Sequence, residues 1–338
     1  MTEISKLPPN GGDSINLDNL DVLDLDNVII NEEYLENAIK SEIPIDGNEE
    51  WEIVQNIKNI ITYRQIKSVS ERQKANYNNT KMVDYVMDTI SPSWYNIVHQ
   101  GYMSLEEISS GLWTVAHRNK QRIVPSLRNL MNSLNYCPFE SVKIIILGQG
   151  PYRWIDGGRE VANGFSFSAE KVENSLKNIY KELERSYPGS EDPDKGERFI
   201  APNHGNLKSW AKQGVLLLNA TFTGIGSERG GVYTYSRGEE EHKGRWNSFL
   251  SVVLSNLTKY HKNLIFFAWG QDAQKTLNNI GLIGKHTILK CAHPSGLAGG
   301  AKDKFAGCGH FIEANQILVK NNKQTPINWH SVMKKENN

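Results

Sequence analysis

Residues 142–168 read VKIIILGQGPYRWIDGGREVANGFSFS. Val142 to Leu147 are dominated by β-branched and apolar side chains, the pattern of a strand buried on both faces. Gly148-Gln149-Gly150-Pro151 then breaks the run. Proline has no N–H to give to a ladder, so the strand stops there. In open α/β sheets, ligands sit outside the carboxyl ends of the strands, which makes this turn a candidate site. Working outward, three more short apolar runs read as buried strands: Val215 to Leu218, Leu264 to Trp269 and Thr287 to Cys291. Helical spacing lies between them. One helix is predicted from about Ser175, with Leu176, Ile179, Tyr180 and Leu183 on one stripe, and another through Trp246, Phe249, Leu250, Val253, Leu254 and Leu257. Ser104 with Glu107 predicts a capping box opening a helix through Trp113 and Ala116. Apolar strands alternating with helices predict an α/β fold, a central four-stranded parallel sheet flanked by helices in a three-layer α/β/α stack.

The chain has 338 residues, enough to bury a sizeable core. It has no apolar run near 18 residues and no basic-then-apolar leader pattern at its start, so no membrane span and an intracellular, non-secreted location are expected. Cys137, Cys291 and Cys308 are odd in number and far apart. That suits free thiols in a reducing compartment and offers neither a zinc knuckle nor a four-cysteine iron–sulfur site, so no metal and no cofactor are expected. The net charge of zero hides a division. Residues 1–50 carry 13 acidic side chains against Lys6 and Lys40, a balance of −11, which leaves 36 basic against 25 acidic residues, or +11, in the remainder. A basic body is compatible with a polyanion such as nucleic acid, and equally with solubility alone. Three segments follow. Residues 1–50 form an acidic extension whose charge and few aromatics argue for disorder. Residues 51–90 form a helical appendage with Ile53, Ile57, Ile60 and Ile61 on one face, and residues 91–338 form the main domain, opening near Ser91-Pro92.

Three of the four strands end in residues suited to chemistry: Gln149 and Tyr152 after the first, Asn219 at the second, and His293-Pro294-Ser295 after the fourth. Taken singly, a buried Asn or His is most often a satisfied core group. Their coincidence at one rim points to a site. GQGPY at 148–152, GFSFS at 164–168, SLKNIYKEL at 175–183, HGNLKSWAKQGVLLLNATFT at 204–223, HPSGL at 293–297 and FAGCGHF at 305–311 together resemble uracil-DNA glycosylase, in the branch without an iron–sulfur cluster. The resemblance spans about residues 91–334, in the family's order, and leaves the acidic extension outside, such as a large DNA virus form carries.

The resemblance implies excision of uracil from single- and double-stranded DNA by hydrolysis of the N-glycosidic bond, by a monomer without cofactor, as the first step of base excision repair. It implies that Asn219 reads the uracil edge, Phe167 stacks on the base, Tyr152 blocks a 5-methyl group, Gln149 lines the pocket and His293 donates to O2. It implies that Leu297 wedges into the duplex, and that Ser175, Ser295, Lys302 and Lys304 contact phosphates. The chain departs from the family in one place that matters most. Gly150 stands where the family carries the aspartate that activates water, and Arg153 stands where it carries a histidine, as a phosphate contact. The segment after Tyr152 is longer than usual and holds Asp156 and Glu160, of which Asp156 is a candidate substitute base; an ordinary turn at Asp156-Gly157-Gly158 is the plainer reading. Two functions therefore stand side by side, a glycosylase weakened at Gly150 and a catalytically impaired uracil- or DNA-binding module of the same fold. A dinucleotide loop is a third. It lacks a glycine at Arg153 and a helix opening at Pro151-Tyr152. The extension is expected to bind a partner of its own or to fold over the basic body.

Overall fold

Four parallel strands form the centre of the computed structural model: β1 (Ile144–Gly148), β2 (Val215–Asn219), β3 (Ile265–Trp269) and β4 (Thr287–Cys291), in the order β2-β1-β3-β4. The structure describes residues 69–189, 197–228, 239–295 and 305–333, all within one compact unit, Tyr63–Asn338. Every residue of β1, β2 and β3 is buried, as their uninterrupted apolar runs require. β4 differs from its expected burial, because only Leu289 is buried in it. β2 and β4 are both edge strands, but the short helices Asn132–Asn135 and Lys208–Ala211 pack against β2, and exposed Lys290 is the kind of charge that keeps the β4 edge from pairing with another chain.

Register brings the functional ends together. Gly148 lies opposite Asn219, and Trp269 lies opposite Cys291. Helices flank the sheet: α1 (Met82–Thr89), α2 (Pro92–Gln100), α3 (Tyr102–His117), α4 (Asn174–Ser186), α5 (Glu239–Tyr260), α6 (Gln271–Ile280) and α7 (His310–Lys320). The predicted stripes hold. Leu176, Ile179, Tyr180 and Leu183 of α4 are buried, and so are Trp246, Phe249, Leu250, Val253, Leu254 and Leu257 of α5. Each such side chain contributes about 1.5–3 kcal/mol when taken from water.

One expectation needs correction. The helix predicted to open at Ser104 starts earlier, at Tyr102, with Gly101 before it and no side-chain cap. A Cβ on Gly101 would come within 2.6 Å of the Phe249 ring, so tight packing on α5 sets the helix start, and Ser104 lies inside it. Residues 69–90 of the predicted helical appendage are described, and residues 51–68 lie outside the described residues. α1 buries Met82, Val83, Tyr85 and Val86, packs against α3, and joins the main core. The acidic extension, residues 1–50, lies outside the described residues.

Candidate active site

Asn219 ends β2 on the same rung as Gly148, and the glycine is what makes room for it. A Cβ at position 148 would lie 2.6 Å from Asn219 Oδ1, 2.8 Å from Ser166 Cβ and 3.6 Å from Phe167 Cε2. Asn219 is buried, and its Oδ1 accepts no hydrogen bond. A buried acceptor left unpaired costs about 1–3 kcal/mol, so the oxygen marks a place for a donor on a ligand. Phe167 holds φ at 60°, a left-handed conformation that a bulky side chain adopts only under constraint. That backbone turns its ring edge-on to Trp269 at 5.6 Å and tilted against His293 at 5.8 Å. The Tyr152 hydroxyl donates to the Phe167 carbonyl at 3.4 Å. Burial first, then the charge of Glu173, pushes the Tyr152 phenol up, so it stays neutral and able to donate.

His293 is fixed in one tautomer. The Ser295 backbone N–H donates to its Nδ1 at 3.1 Å, which leaves the ring proton of the neutral form on Nε2. Burial lowers its pKa and the nearby Asp272 charge opposes that in part, so at pH 7 the ring is neutral. Gly270, with φ at 88°, leaves no space for a side chain: a Cβ there would stand 2.9 Å from His293 Cβ. α4 braces the same loop, because Asn178 Nδ2 donates to the Pro294 carbonyl at 2.6 Å. Ser175, the second residue of α4, and Ser295 thus sit on linked segments.

Gln149 turns its amide to Asp272, with Nε2 donating to Oδ2 at 3.0 Å. Asp272 is a residue of the rim that the sequence reading passed over. Its only signal was an acidic residue in the first turn of the helix following Trp269-Gly270, and the end of β3 looked the least distinctive of the four.

Gly150 is not demanded by the backbone. Its φ lies outside the left-handed region, and a Cβ would meet only Thr221, at 3.6 Å from the carbonyl oxygen and 3.9 Å from Cβ. The Arg153 side chain lies along Gly224, where a Cβ would be 3.2 Å from its Nε, and its charge helps lower the pKa of His242, after burial. Asp156 pairs with Lys171 Nζ at 3.1 Å. Glu160 is a structural carboxylate: it accepts from Ser126 N at 2.7 Å, Ser126 Oγ at 2.5 Å and Asn129 Nδ2 at 3.0 Å. Leu297, Lys302 and Lys304 lie outside the described residues. A separate polar cleft of about 740 Å³, lined among others by Gln100, Ser251 and Asn256, contains none of these side chains.

The family model described as the uracil DNA glycosylase superfamily matches residues 134–319. The chain is 38% identical over 245 residues to the uracil-DNA glycosylase of Dichelobacter nodosus, covering 71% of this chain and 95% of that protein. It is 36% identical over 245 residues to the uracil-DNA glycosylase of human herpesvirus 7, covering 71% and 86%. Among solved structures it is similar to mimivirus uracil-DNA glycosylase, with a TM-score of 0.57 at 30% identity over 70% of this chain and 86% of that one.

Proposed function

Since the chain belongs to the uracil-DNA glycosylase superfamily, we propose that it removes uracil from DNA by hydrolysing the N-glycosidic bond of a base flipped out of the stack. The observation that carries this reading is the buried Asn219 Oδ1 without a donor, lying over Gly148. Uracil offers N3–H to that oxygen and O4 to the amide N–H. Cytosine presents a lone pair at N3 and an amino group at C4, the opposite polarity, and would leave both sides unpaired. Phe167 stacks on the base, Gln149 lines the pocket, and Tyr152 occupies the space beside C5, where the methyl group of thymine clashes.

As the bond from C1′ to N1 breaks, its electron pair departs with the base and negative charge gathers on O2. His293 stabilises that charge through its Nε2–H, which the Ser295 contact keeps aimed away from the backbone. Water adds to C1′ and gives up a proton. Gly150 cannot orient that water, and the lost group lowers the rate by about 10²–10⁴-fold. Asp156 is the carboxylate available as a substitute. Ser175, Ser295, Arg153, Lys302 and Lys304 bind phosphates, and Leu297 fills the gap left by the flipped base. The protein works as a monomer on single- and double-stranded DNA inside the cell, wherever the genome is, and starts base excision repair. The acidic extension engages a partner of its own.

Gly150 also favours a second reading, a module that binds uracil in DNA without turning it over. The two part on release of free uracil from a single-stranded deoxyuridine oligonucleotide, compared between the Gly150 chain and Gly150→Asp. The space beside Thr221 admits a Cβ at position 150 in ordinary van der Waals contact. The expected result is slow release by the Gly150 chain and release faster by about 10²–10⁴-fold in the variant. If both bind the oligonucleotide and neither releases uracil, the enzyme reading fails and the binding module stands. Equal, fast rates would place the base elsewhere, and Asp156→Asn would then abolish them.

A further inference from the structure

Two cysteines stand together behind the rim and have no part in the reaction above. Cys291 closes β4, two residues before His293, and Cys308 lies just before α7. With His310 they form a cluster whose sulfur and nitrogen atoms lie within 4.8 Å of one another. Both cysteines are partly accessible, whereas Cys137 is buried. The Cys308 backbone is held on both sides, because the buried Glu182 carboxylate of α4 accepts the Gly307 N–H at 2.6 Å and the Gly309 N–H at 3.0 Å.

Such a cluster could hold a soft metal ion or act as a dithiol, and His310 decides between them. Its Nδ1 accepts the Trp269 Nε1–H at 3.0 Å. An indole only donates, so the proton of the neutral imidazole sits on Nε2. A metal-bound histidine needs the reverse arrangement, with one nitrogen free for the metal and the other donating to an acceptor. Without the imidazole, the two thiols fall short of the four ligands of a structural zinc site. What remains is a pair of thiols facing each other.

The structure assigns Cys291 and Cys308 as an oxidant-reactive dithiol that closes into an intramolecular disulfide on meeting a hydroperoxide. Cys308 is the attacking sulfur: hydrogen bonding from Cys291 is the main cause holding its thiol below the ordinary range, with burial opposing. Its thiolate attacks the terminal peroxide oxygen, the O–O bond breaks, and the departing hydroxide or alkoxide takes a proton and leaves as water or alcohol respectively. Cys308 is then a sulfenic acid. Cys291 gives up its proton and attacks that sulfur, the S–O bond breaks, and a further water leaves. Each sulfur loses one electron and the peroxide gains two. Closing the bond brings the sulfurs to about 2.05 Å. Glu182 anchors the Cys308 side, while the Cys291 carbonyl accepts the Gly270 N–H at 2.9 Å and Gln274 Nε2–H at 3.2 Å, so the adjustment passes along the chain to His293, two residues beyond Cys291.

The test uses the full chain, reduced, then treated with excess hydrogen peroxide and catalase. Thiols counted in denaturant should fall from the three of the sequence to one, with a mass loss of about 2 Da from the two hydrogens removed, and dithiothreitol should restore all three. Cys291→Ser should instead accumulate a Cys308 sulfenic acid that dimedone traps, and Cys308→Ser should keep both remaining thiols. The His293 ring signals in nitrogen-correlated NMR spectra should move on oxidation and return on reduction. Three thiols surviving peroxide, thiol loss through cross-linked dimers, or one zinc ion per chain binding tightly and shielding both sulfurs would overturn the assignment. Unmoved His293 signals in the oxidised protein would overturn the link to the rim. None of these readouts depends on uracil release, so the dithiol and the glycosylase reading fail separately.

Discussion

Gly148 and Asn219 share one rung of the sheet, and the clearance between them is the tightest geometric constraint on the pocket. Gly148→Ala would push a methyl group to 2.6 Å from Asn219 Oδ1 and 2.8 Å from Ser166 Cβ. The amide must turn away, and with it goes a hydrogen bond to the base of about 1–3 kcal/mol, an affinity loss of roughly 10–100-fold. Titration of free uracil into the variant measures this, and binding as tight as in the parent would remove Asn219 as the reader. Asp272 makes a second prediction. Its negative charge favours protonated His293 against the dominant effect of burial, so Asp272→Asn should move the His293 titration to lower pH and extend uracil release further into acid. NMR titration of the ring decides it, and a midpoint that stays or rises would show that the two groups do not interact. Gln149, Tyr152, Asn219 and His293 were legible in the sequence because each stands at or just after a strand end, whereas Phe167 was named only through the family resemblance. Asp272 was not: its importance rests on a hydrogen bond across the ends of β1 and β3, which register brings together and no local pattern announces.

Among the elements, the strands were readable to within about two residues of their ends, as their apolar runs and Gly/Pro breaks allow. Solvent exposure of β4 was not, because it depends on which helices cover a strand, and β2, at the other edge of the sheet, is fully buried. The start of α3 shows the same limit, where the fit of Gly101 against Phe249 outweighs a capping signal at Ser104. Glu182 is the clearest case of an element-scale contact hidden from the pattern. In sequence it is one polar position beside the apolar stripe of α4. In the fold it is buried and accepts the two N–H groups that precede α7, with Arg185 Nε 3.5 Å from Oε2. Glu182→Gln replaces a carboxylate that serves two donors by an amide with one acceptor oxygen, so one of the two part-buried N–H groups loses its acceptor. Urea unfolding should show a loss of about 1–3 kcal/mol, with the slope of the transition unchanged. An unchanged midpoint would mean that water or a neighbour takes over the contact.

At the scale of the molecule, buried histidines tie stability to pH. His242, His261, His293 and His310 all have their pKa lowered, with burial as the main cause, and His310 is brought down to about 4. An unfolded chain takes up these protons near pH 6.5, whereas the native state resists until a lower pH. Between the two values the unfolded state binds more protons, so stability rises with pH through that window. The contribution is therefore complete above pH 6.5 and is lost as the pH falls towards 4. His310 is 5% exposed, and its shift alone corresponds to roughly 3 kcal/mol across the window; the other three act in the same direction. His310→Asn isolates this term, because an asparagine oxygen can still accept the Trp269 N–H while carrying no titration. Urea unfolding of parent and variant between pH 7 and 4.5 should give curves that differ most at neutral pH and converge in acid. Parallel curves would show that His310 titrates alike in the folded and unfolded chain, and that the acid sensitivity of the fold lies in the other three rings.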